Sequence, residues 1–349
     1  GKTMLIQKQA SVPTFDVVDL RSDDVKTSTI TIPTTVYSSV TTAGVAHTFA
    51  IDKWDDGGRY ALLSHTFGDK KEWLTLDTRD VAASKNVTKV LDLDISSIVF
   101  SGTSGNILYA LSNGDIRKLD LSAGTISRSL VTHVTNFDLF ETNVITFVGM
   151  DPADTTKRVV GLYREGDTGA HILRTTQSDA ATTPLHIVTS RYFNQDYVAI
   201  AEGTKVDIVR GSYPSSAADD TTSLLPFTSF TFGTNVDRLS FSPDGDYLLA
   251  QSGVQFTSLD IEHERFNNYT VDVDSSVTVA PFKWLDTDHT WSDYTNQLTI
   301  REFDGANAAM INQSVTGQGV ALTQNGRWLY SVGKTETGYQ LQRVRMILP

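Results

Sequence analysis

Between Val236 and Val273 the apolar positions fall into four short runs separated by polar turns. Leu239 and Phe241 alternate with serines, as on a half-buried strand, and Ser-Pro-Asp-Gly (Ser242–Gly245) is a turn. Residues 247–251 form a second apolar run. A third, 255–261, carries Asp260 near its end, and a fourth, 266–273, places Tyr269, Val271 and Val273 on one face. The period is two, so the runs are strands and the whole is one four-stranded repeat.

The same cadence recurs along the chain at the roughly 40–50 residue period of propeller arrays. Gly1–Gln7 aligns with Gly245–Gln251 without a gap, which makes residues 1–7 the end of a turn and a second strand. Residues 14–20, with Asp19 in the place of Asp260, and 28–33 follow, so the opening repeat is expected to lack its first strand. Complete repeats are predicted at 45–54, 60–64, 73–78 and 87–93, then at 98–101, 107–111, 116–121 and 126–131. Two less regular ones occupy 136–140, 144–150, 158–163 and 171–175, then 186–191, 197–202, 205–210 and 224–231. An insert at 211–222 has no apolar period and reads as an exposed loop. After the repeat at 236–273 come 277–284, 289–293, 298–303 and 308–313, and a last unit of three strands, 319–323, 328–332 and 339–347. The pattern predicts an all-β β-propeller of four-stranded antiparallel blades. Eight blades are preferred; the alternative is seven, closed by pairing of N- and C-terminal strands. No helix longer than a turn or two is expected.

Composition narrows the partners. The 29 Lys and Arg against 41 Asp and Glu leave a charge of −12, which repels phosphate backbones and anionic lipid, so nucleic acid is not an expected ligand. There are no cysteines, hence no disulfides, thiolate metal sites or thiol nucleophiles. No apolar run reaches the ~18 residues of a membrane span, and no direct membrane insertion is expected from these residues. The chain opens Gly-Lys-Thr without Met. It reads as one propeller domain, 1–349, cut from a longer protein, and as a monomer.

Phe241-Ser-Pro-Asp-Gly-Asp-Tyr-Leu-Leu-Ala250 resembles the first turn of WD40-like and TolB-like propeller blades, although the Gly-His and Trp-Asp dipeptides of true WD40 repeats are absent. The cadence of Trp54-Asp-Asp-Gly-Gly-Arg-Tyr-Ala-Leu-Leu63 and of residues 339–348 is similar to the propeller region that follows PEGA domains in envelope proteins of Saccharibacteria-type bacteria. That resemblance implies an extracytoplasmic, anchored, non-catalytic protein.

Motifs with chemical potential are few. Gly1-Lys-Thr3 mimics a P-loop end, but a P-loop opens a helix and Met4–Gln7 reads as a strand. Thr287-Asp-His-Thr-Trp291 is a partial sialidase Asp-box without its glycine, in which Trp291 is expected to pack between blades. The seven histidines, His47, His65, His133, His171, His186, His263 and His289, have no metal-binding spacing and read as solvent-facing. Asp19, Asp77, Asp120 and Asp260 recur late in the third strand, where a carboxylate caps the following turn by accepting backbone N–H bonds. No catalytic, cofactor-binding or metal residue is assigned, and no cofactor is expected. The reading is a non-catalytic binding or scaffold propeller at a bacterial cell envelope, meeting a protein or glycan through second-to-third-strand loops such as 67–71, 151–157 and 334–338. A glycan- or peptide-processing propeller enzyme and a cytoplasmic assembly platform are the alternatives.

Overall fold

The structure is a computed structural model that describes residues 2–8, 10, 12–38, 46–176, 183–214, 223–273, 279–336 and 338–346. It is an all-β propeller fold of eight antiparallel sheets. The first sheet holds β1 (Thr3–Gln7), β2 (Thr14–Asp19) and β3 (Lys26–Thr31). The second holds β4 (His47–Trp54), β5 (Tyr60–Phe67), β6 (Lys70–Asp77) and β7 (Lys85–Asn86); the third holds β8 (Ser97–Phe100), β9 (Ile107–Ser112), β10 (Asp115–Asp120) and β11 (Thr125–Ile126). The fourth is β12 (Val134–Phe140), β13 (Val144–Met150), β14 (Arg158–Arg164) and β15 (His171–Thr175), and the fifth β16 (Leu185–Tyr192), β17 (Gln195–Glu202), β18 (Lys205–Gly211) and β19 (Leu224–Thr231). The sixth is β20 (Arg238–Phe241), β21 (Tyr247–Ser252), β22 (Gln255–Asp260) and β23 (Arg265–Thr270), and the seventh β24 (Lys283–Trp284), β25 (His289–Ser292), β26 (Gln297–Glu302) and β27 (Ala309–Gln313). The last has three strands, β28 (Ala321–Leu322), β29 (Trp328–Thr335) and β30 (Gly338–Arg345). In every sheet the strands stand in chain order. The eight-blade count and both three-stranded ends agree with the repeat reading.

By compactness the chain forms two units, residues 1–143 with 321–329 and 345–349, and residues 144–320 with 330–344. In the first unit, apolar side chains fill the space between consecutive sheets: Leu5, Phe15, Val17, Leu63 and Leu74 between the first two, Leu62, Trp73, Ile98 and Leu108 between the next two. Leu239, Leu248, Ala199 and Ile208 do the same in the second unit. The first sheet is held from both sides. Thr3 Oγ1 and Lys2 Nζ donate to the carbonyls of Gly58 and Asp56 in the β4–β5 turn, while Asp23 takes bonds from Asn325 and Arg327 beside β28.

The turns explain why the repeat is readable. Ser242 Oγ accepts the N–H of Tyr247, Thr323 Oγ1 that of Trp328, and Asp55 Oδ1 that of Tyr60, so three different side chains place one oxygen in one position. Each turn ends on a glycine of positive φ, Gly58, Gly245 or Gly326. At Gly245 the constraint is also steric, because a Cβ would lie 2.6 Å from Ser190 Oγ and 2.7 Å from the Arg191 carbonyl. The carboxylate repeat is confirmed as well: Asp19 accepts the N–H of Arg21, Asp77 those of Arg79 and Asp80, Asp120 those of Ser122 and Ala123, and Asp260 that of His263.

Several expectations are corrected. Residues 87–93 are not a strand: Val87–Leu91 is a one-turn helix, α1, and the fourth strand of that sheet is β7. Asn86 Oδ1 caps the helix by accepting the Lys89 N–H at 2.9 Å, and Val87 and Leu91, four apart, bury the same face. The fourth strand predicted at 126–131 shrinks to β11 plus a single bridge between Ile116 and Val131. The insert is not wholly exposed, since Tyr213 is buried with its hydroxyl donating between the carbonyls of Ser190 and Tyr197; residues 215–222 lie outside the described residues. Met4–Gln7 is a strand, which removes the helix that a P-loop needs, and Trp291 is buried.

Candidate functional site

Two arrangements stand out from the scaffold. The first lies in the second sheet, at the end that carries the start of β4 and the β5–β6 hairpin. Antiparallel pairing sets Phe49 opposite His65 and His65 opposite Glu72, and one row further out His47 opposite Phe67 and Phe67 opposite Lys70. All six therefore share a sheet face. His65 is fully buried and the Glu72 side chain is 6% exposed.

Glu72 is surrounded by donors. Its Oε1 accepts the Ser38 N–H and His65 Nδ1, each at 2.7 Å, and its Oε2 accepts Ser38 Oγ at 2.7 Å and Asn86 Nδ2 at 2.8 Å. Burial pushes the carboxyl up, but these bonds together outweigh it and hold Glu72 at about 2. An ionised Glu72 can only accept, so His65 carries its proton on Nδ1. His65 Nε2 then faces His47 Nδ1 at 2.8 Å. The ring centroids are 5.1 Å apart and the planes 18° from parallel. The gap between centroids exceeds the nitrogen separation by about two ring radii, so the imidazoles meet edge to edge, nitrogen to nitrogen. One proton fits between them, and the pair can carry at most one positive charge.

The result is a relay, Glu72–His65–His47, whose outer end is the exposed His47. Phe49 stacks on His65 at 4.2 Å and Tyr37 meets it edge-on at 5.6 Å, fixing the ring. Chemically the arrangement is a row of three hydrogen-bonded side chains that reaches the surface at His47. It is not a Ser-His-acid triad, because Ser38 Oγ donates into the carboxylate and the histidine nitrogen that a nucleophile would occupy faces His47.

Sequence spacing did not bring these two histidines together; the β4–β5 register does. Nor are the histidines generally solvent-facing. His65 and His171 are buried, the latter 3.2 Å from Asp167 Oδ2, and His186 is half-buried against the Val236 carbonyl, its pKa lowered by burial. His263 and His289 pair with Asp260 and Asp286 at their turns. Among the described residues no three His, Asp or Glu side chains form a metal-binding group. Asp151 and Asp154 accept the N–H groups of Ala153 and Thr156, as solvated turns do.

The second arrangement lies in the other compact unit, at the end of the fifth to seventh sheets where first-to-second and third-to-fourth strand turns gather. The β16–β17 hairpin turns through Phe193 and Asn194 with φ of +44° and +58°. A phenylalanine is costly there and gains nothing from burial, for Phe193 is 79% exposed. Its ring meets Tyr192 edge-on at 4.6 Å, and Tyr192 donates to Glu262 Oε2 at 3.2 Å. Burial, then Glu262 and its neighbours, push the Tyr192 hydroxyl up to about 12. Asp246 is raised as well, by burial and by the charges of Asp244, Asp288, Glu262 and Asp260. Tyr247 stacks on Phe303 at 3.8 Å within the same group. This end thus presents an exposed aromatic tip beside a group of carboxylates. Phe193 was missed from sequence because nothing in Tyr-Phe-Asn-Gln marks a two-residue positive-φ turn as Asn-Gly would.

No family model matches the sequence, and no curated protein matches it. Solved structures do share the fold. A prolyl endopeptidase structure is similar over 86% of this chain and 47% of that one, with a TM-score of 0.57 and 11% identity. An oligogalacturonate lyase in complex with manganese is similar over 99% of this chain and 97% of its own, with a TM-score of 0.54 and 10% identity. The β-propeller domain of Cps50 (Swd1) from Myceliophteria thermophila is similar over 88% of this chain and all of its own, with a TM-score of 0.52 and 12% identity. At such identities the likeness is one of fold, and what the chain is similar to is the β-propeller, in enzymes and in other proteins alike.

Proposed function

We propose that the chain is a non-catalytic binding propeller of the bacterial cell envelope that engages a basic protein partner through the aromatic tip of the fifth sheet. The carrying observation is Phe193, an exposed aromatic held at positive φ among carboxylates. Rigid aromatics with few rotamers make efficient anchors, and cationic side chains can stack on Tyr192 and Phe193 while pairing with Glu262 and Asp246. The net charge of −12 favours the same class of partner. The envelope location rests on the resemblance to PEGA-linked propellers, and fractionation of the source cell tests it directly.

The binding surface is tested with immobilised peptide arrays graded in charge and aromatic content. Lys- and Arg-rich peptides should be retained, and Phe193→Ala with Tyr192→Ala should reduce retention at least about tenfold, the scale of a lost anchor. Equal retention of acidic and basic peptides would refute the assignment. The Glu72–His65–His47 relay favours a second reading, a propeller enzyme using His47 as an acid–base group. Turnover of a chromogenic glycoside or peptide that is lost in His47→Ala would establish it.

A further inference from the structure

A cleft of about 330 Å³ is bordered by β15 of the fourth sheet and by β18 and β19 of the fifth. Pairing sets Ser229 opposite Asp207 and Pro226 opposite Val209, so these four residues and Lys205 share one face of the fifth sheet, the face that Arg174 of β15 meets. Both outermost strands carry an extra residue beside the cleft. In β19 it is Phe227, where the register steps between Ile208 and Val209; in β15 it is Leu173, next to Arg174. The Phe227 ring belongs to the other face, 5.7 Å from the Tyr197 ring and 4.4 Å below the Arg210 guanidinium, so Phe227 gives the cleft its backbone. A bulge bends its strand and interrupts the ladder, and such breaks recur where a sheet meets a ligand.

The charges in the cleft do not cancel. Asp207 Oδ2 accepts Arg174 at 2.8 Å and its Oδ1 accepts Lys205 Nζ at 2.9 Å. Two cations thus share one carboxylate, which leaves a single positive charge. Each cation spends one nitrogen on Asp207, and among the described residues neither side chain has a second acceptor. A guanidinium offers five N–H bonds and an ammonium three, so most of their donors remain. Arg174 and Asp207 are only 25% and 18% exposed, so water screens the surplus poorly. It also runs against the whole chain, whose net charge is −12. Around these donors stand the Ser229 hydroxyl and the apolar surfaces of Val209 and Pro226.

The geometry points to a binding site for a small monocarboxylate. Its two oxygens accept the free N–H groups of Arg174 and an N–H of Lys205, bonds strengthened by charge on both sides. Its compact hydrocarbon body lies on Val209 and Pro226. A single negative charge matches the single positive surplus, whereas a phosphate dianion would set its second charge against Asp207. The volume stands at the small end of the roughly 300–1,000 Å³ of ligand pockets. The cleft is independent of the proposed partner surface, because Lys205 begins β18 at the end of the fifth sheet opposite the Phe193 turn.

The test titrates the chain of residues 1–349 with phenylacetate, hexanoate, phenylacetamide and inorganic phosphate, read by calorimetry and by amide chemical shifts. Both acids should bind at least about tenfold more tightly than the neutral amide, the scale of a charged hydrogen bond, and should shift the amides of residues 205–209 and 226–229 most. Arg174→Gln should weaken the acids at least about tenfold. Lys205→Gln, at a side chain 57% exposed that the fold does not need, should weaken them about threefold, and Phe193→Ala should leave them unchanged. Asp207→Asn should tighten the acids and admit phosphate, since the charge that competes for both cations is gone. No saturable binding of either acid, equal binding of phenylacetate and phenylacetamide, or phosphate bound as tightly as the acids by the unaltered chain would overturn the proposal. So would shifts centred elsewhere, acid binding indifferent to both cation variants, or weaker binding in Asp207→Asn.

Discussion

Replacing Glu72 by Gln tests whether the buried relay is held by charge. The side chain keeps its size, but one acceptor oxygen becomes a donor facing donors on every side. Placed toward His65 and the Ser38 N–H it opposes both; placed toward Oε2's partners it can be tolerated by Ser38 Oγ, which rotates, but not by Asn86, whose Oδ1 is committed to capping α1. A carboxyl held at about 2 rather than 4.5 favours its charged form by about 3 kcal/mol, at about 1.4 kcal/mol per pH unit. Some screening reaches the cluster along exposed His47, so the loss expected for Glu72→Gln at pH 7 is about 2–3 kcal/mol. The sign is fixed by the depression. The contribution is complete above 4.5, declines as pH falls toward the folded value of about 2, and is absent below it. At pH 3 roughly 1 kcal/mol of it should remain. Urea unfolding of both proteins at pH 7 and pH 3 measures the narrowing. A difference that stays constant to within about 0.5 kcal/mol across that range would show that Glu72 is held by packing rather than by charge.

Gly245→Ala should lower stability by about 2–3 kcal/mol, since the new Cβ meets the β16–β17 hairpin at a φ of +85°; an unchanged urea midpoint would refute the close approach. Asp77→Asn should cost about 1–3 kcal/mol at pH 7, because the buried carboxylate accepts two turn amides and pairs with Arg59. Burial raises the Asp77 carboxyl, but Arg59 and the amides hold it below 3.8, so this cost should shrink as pH falls under that value, which paired unfolding curves at pH 7 and pH 3 will read. Phe193→Asn should raise stability by about 0.5–1 kcal/mol while reducing peptide retention, since asparagine tolerates positive φ and forgoes the aromatic anchor. A stability loss instead would mean that Phe193 packs against the body.

Turns and third-strand carboxylates were legible from sequence because each is a local device: one oxygen, a glycine at fixed spacing, and the amides they serve. The eight-sheet count followed from them. The helix at Val87–Leu91 was hidden because Val-Thr-Lys-Val has strand propensity, and only the Asn86 cap and the burial of Val87 with Leu91 decide otherwise. His47 and His65 are eighteen positions apart, and what joins them is the β4–β5 register, which shifts between Ile51 and Lys53. A bulge of one residue moves every later pair, so no spacing rule applied to the chain could have matched these rings.

The turn shared by Asp55, Ser242 and Thr323 bears on how such a chain is inherited. What each copy must retain is an acceptor of almost any kind and a glycine three places on, while the strands on either side answer only to their own neighbours. Copies of the unit can therefore drift apart in nearly all their letters and still fold alike, and a turn transplanted from one sheet to another should work in its new place.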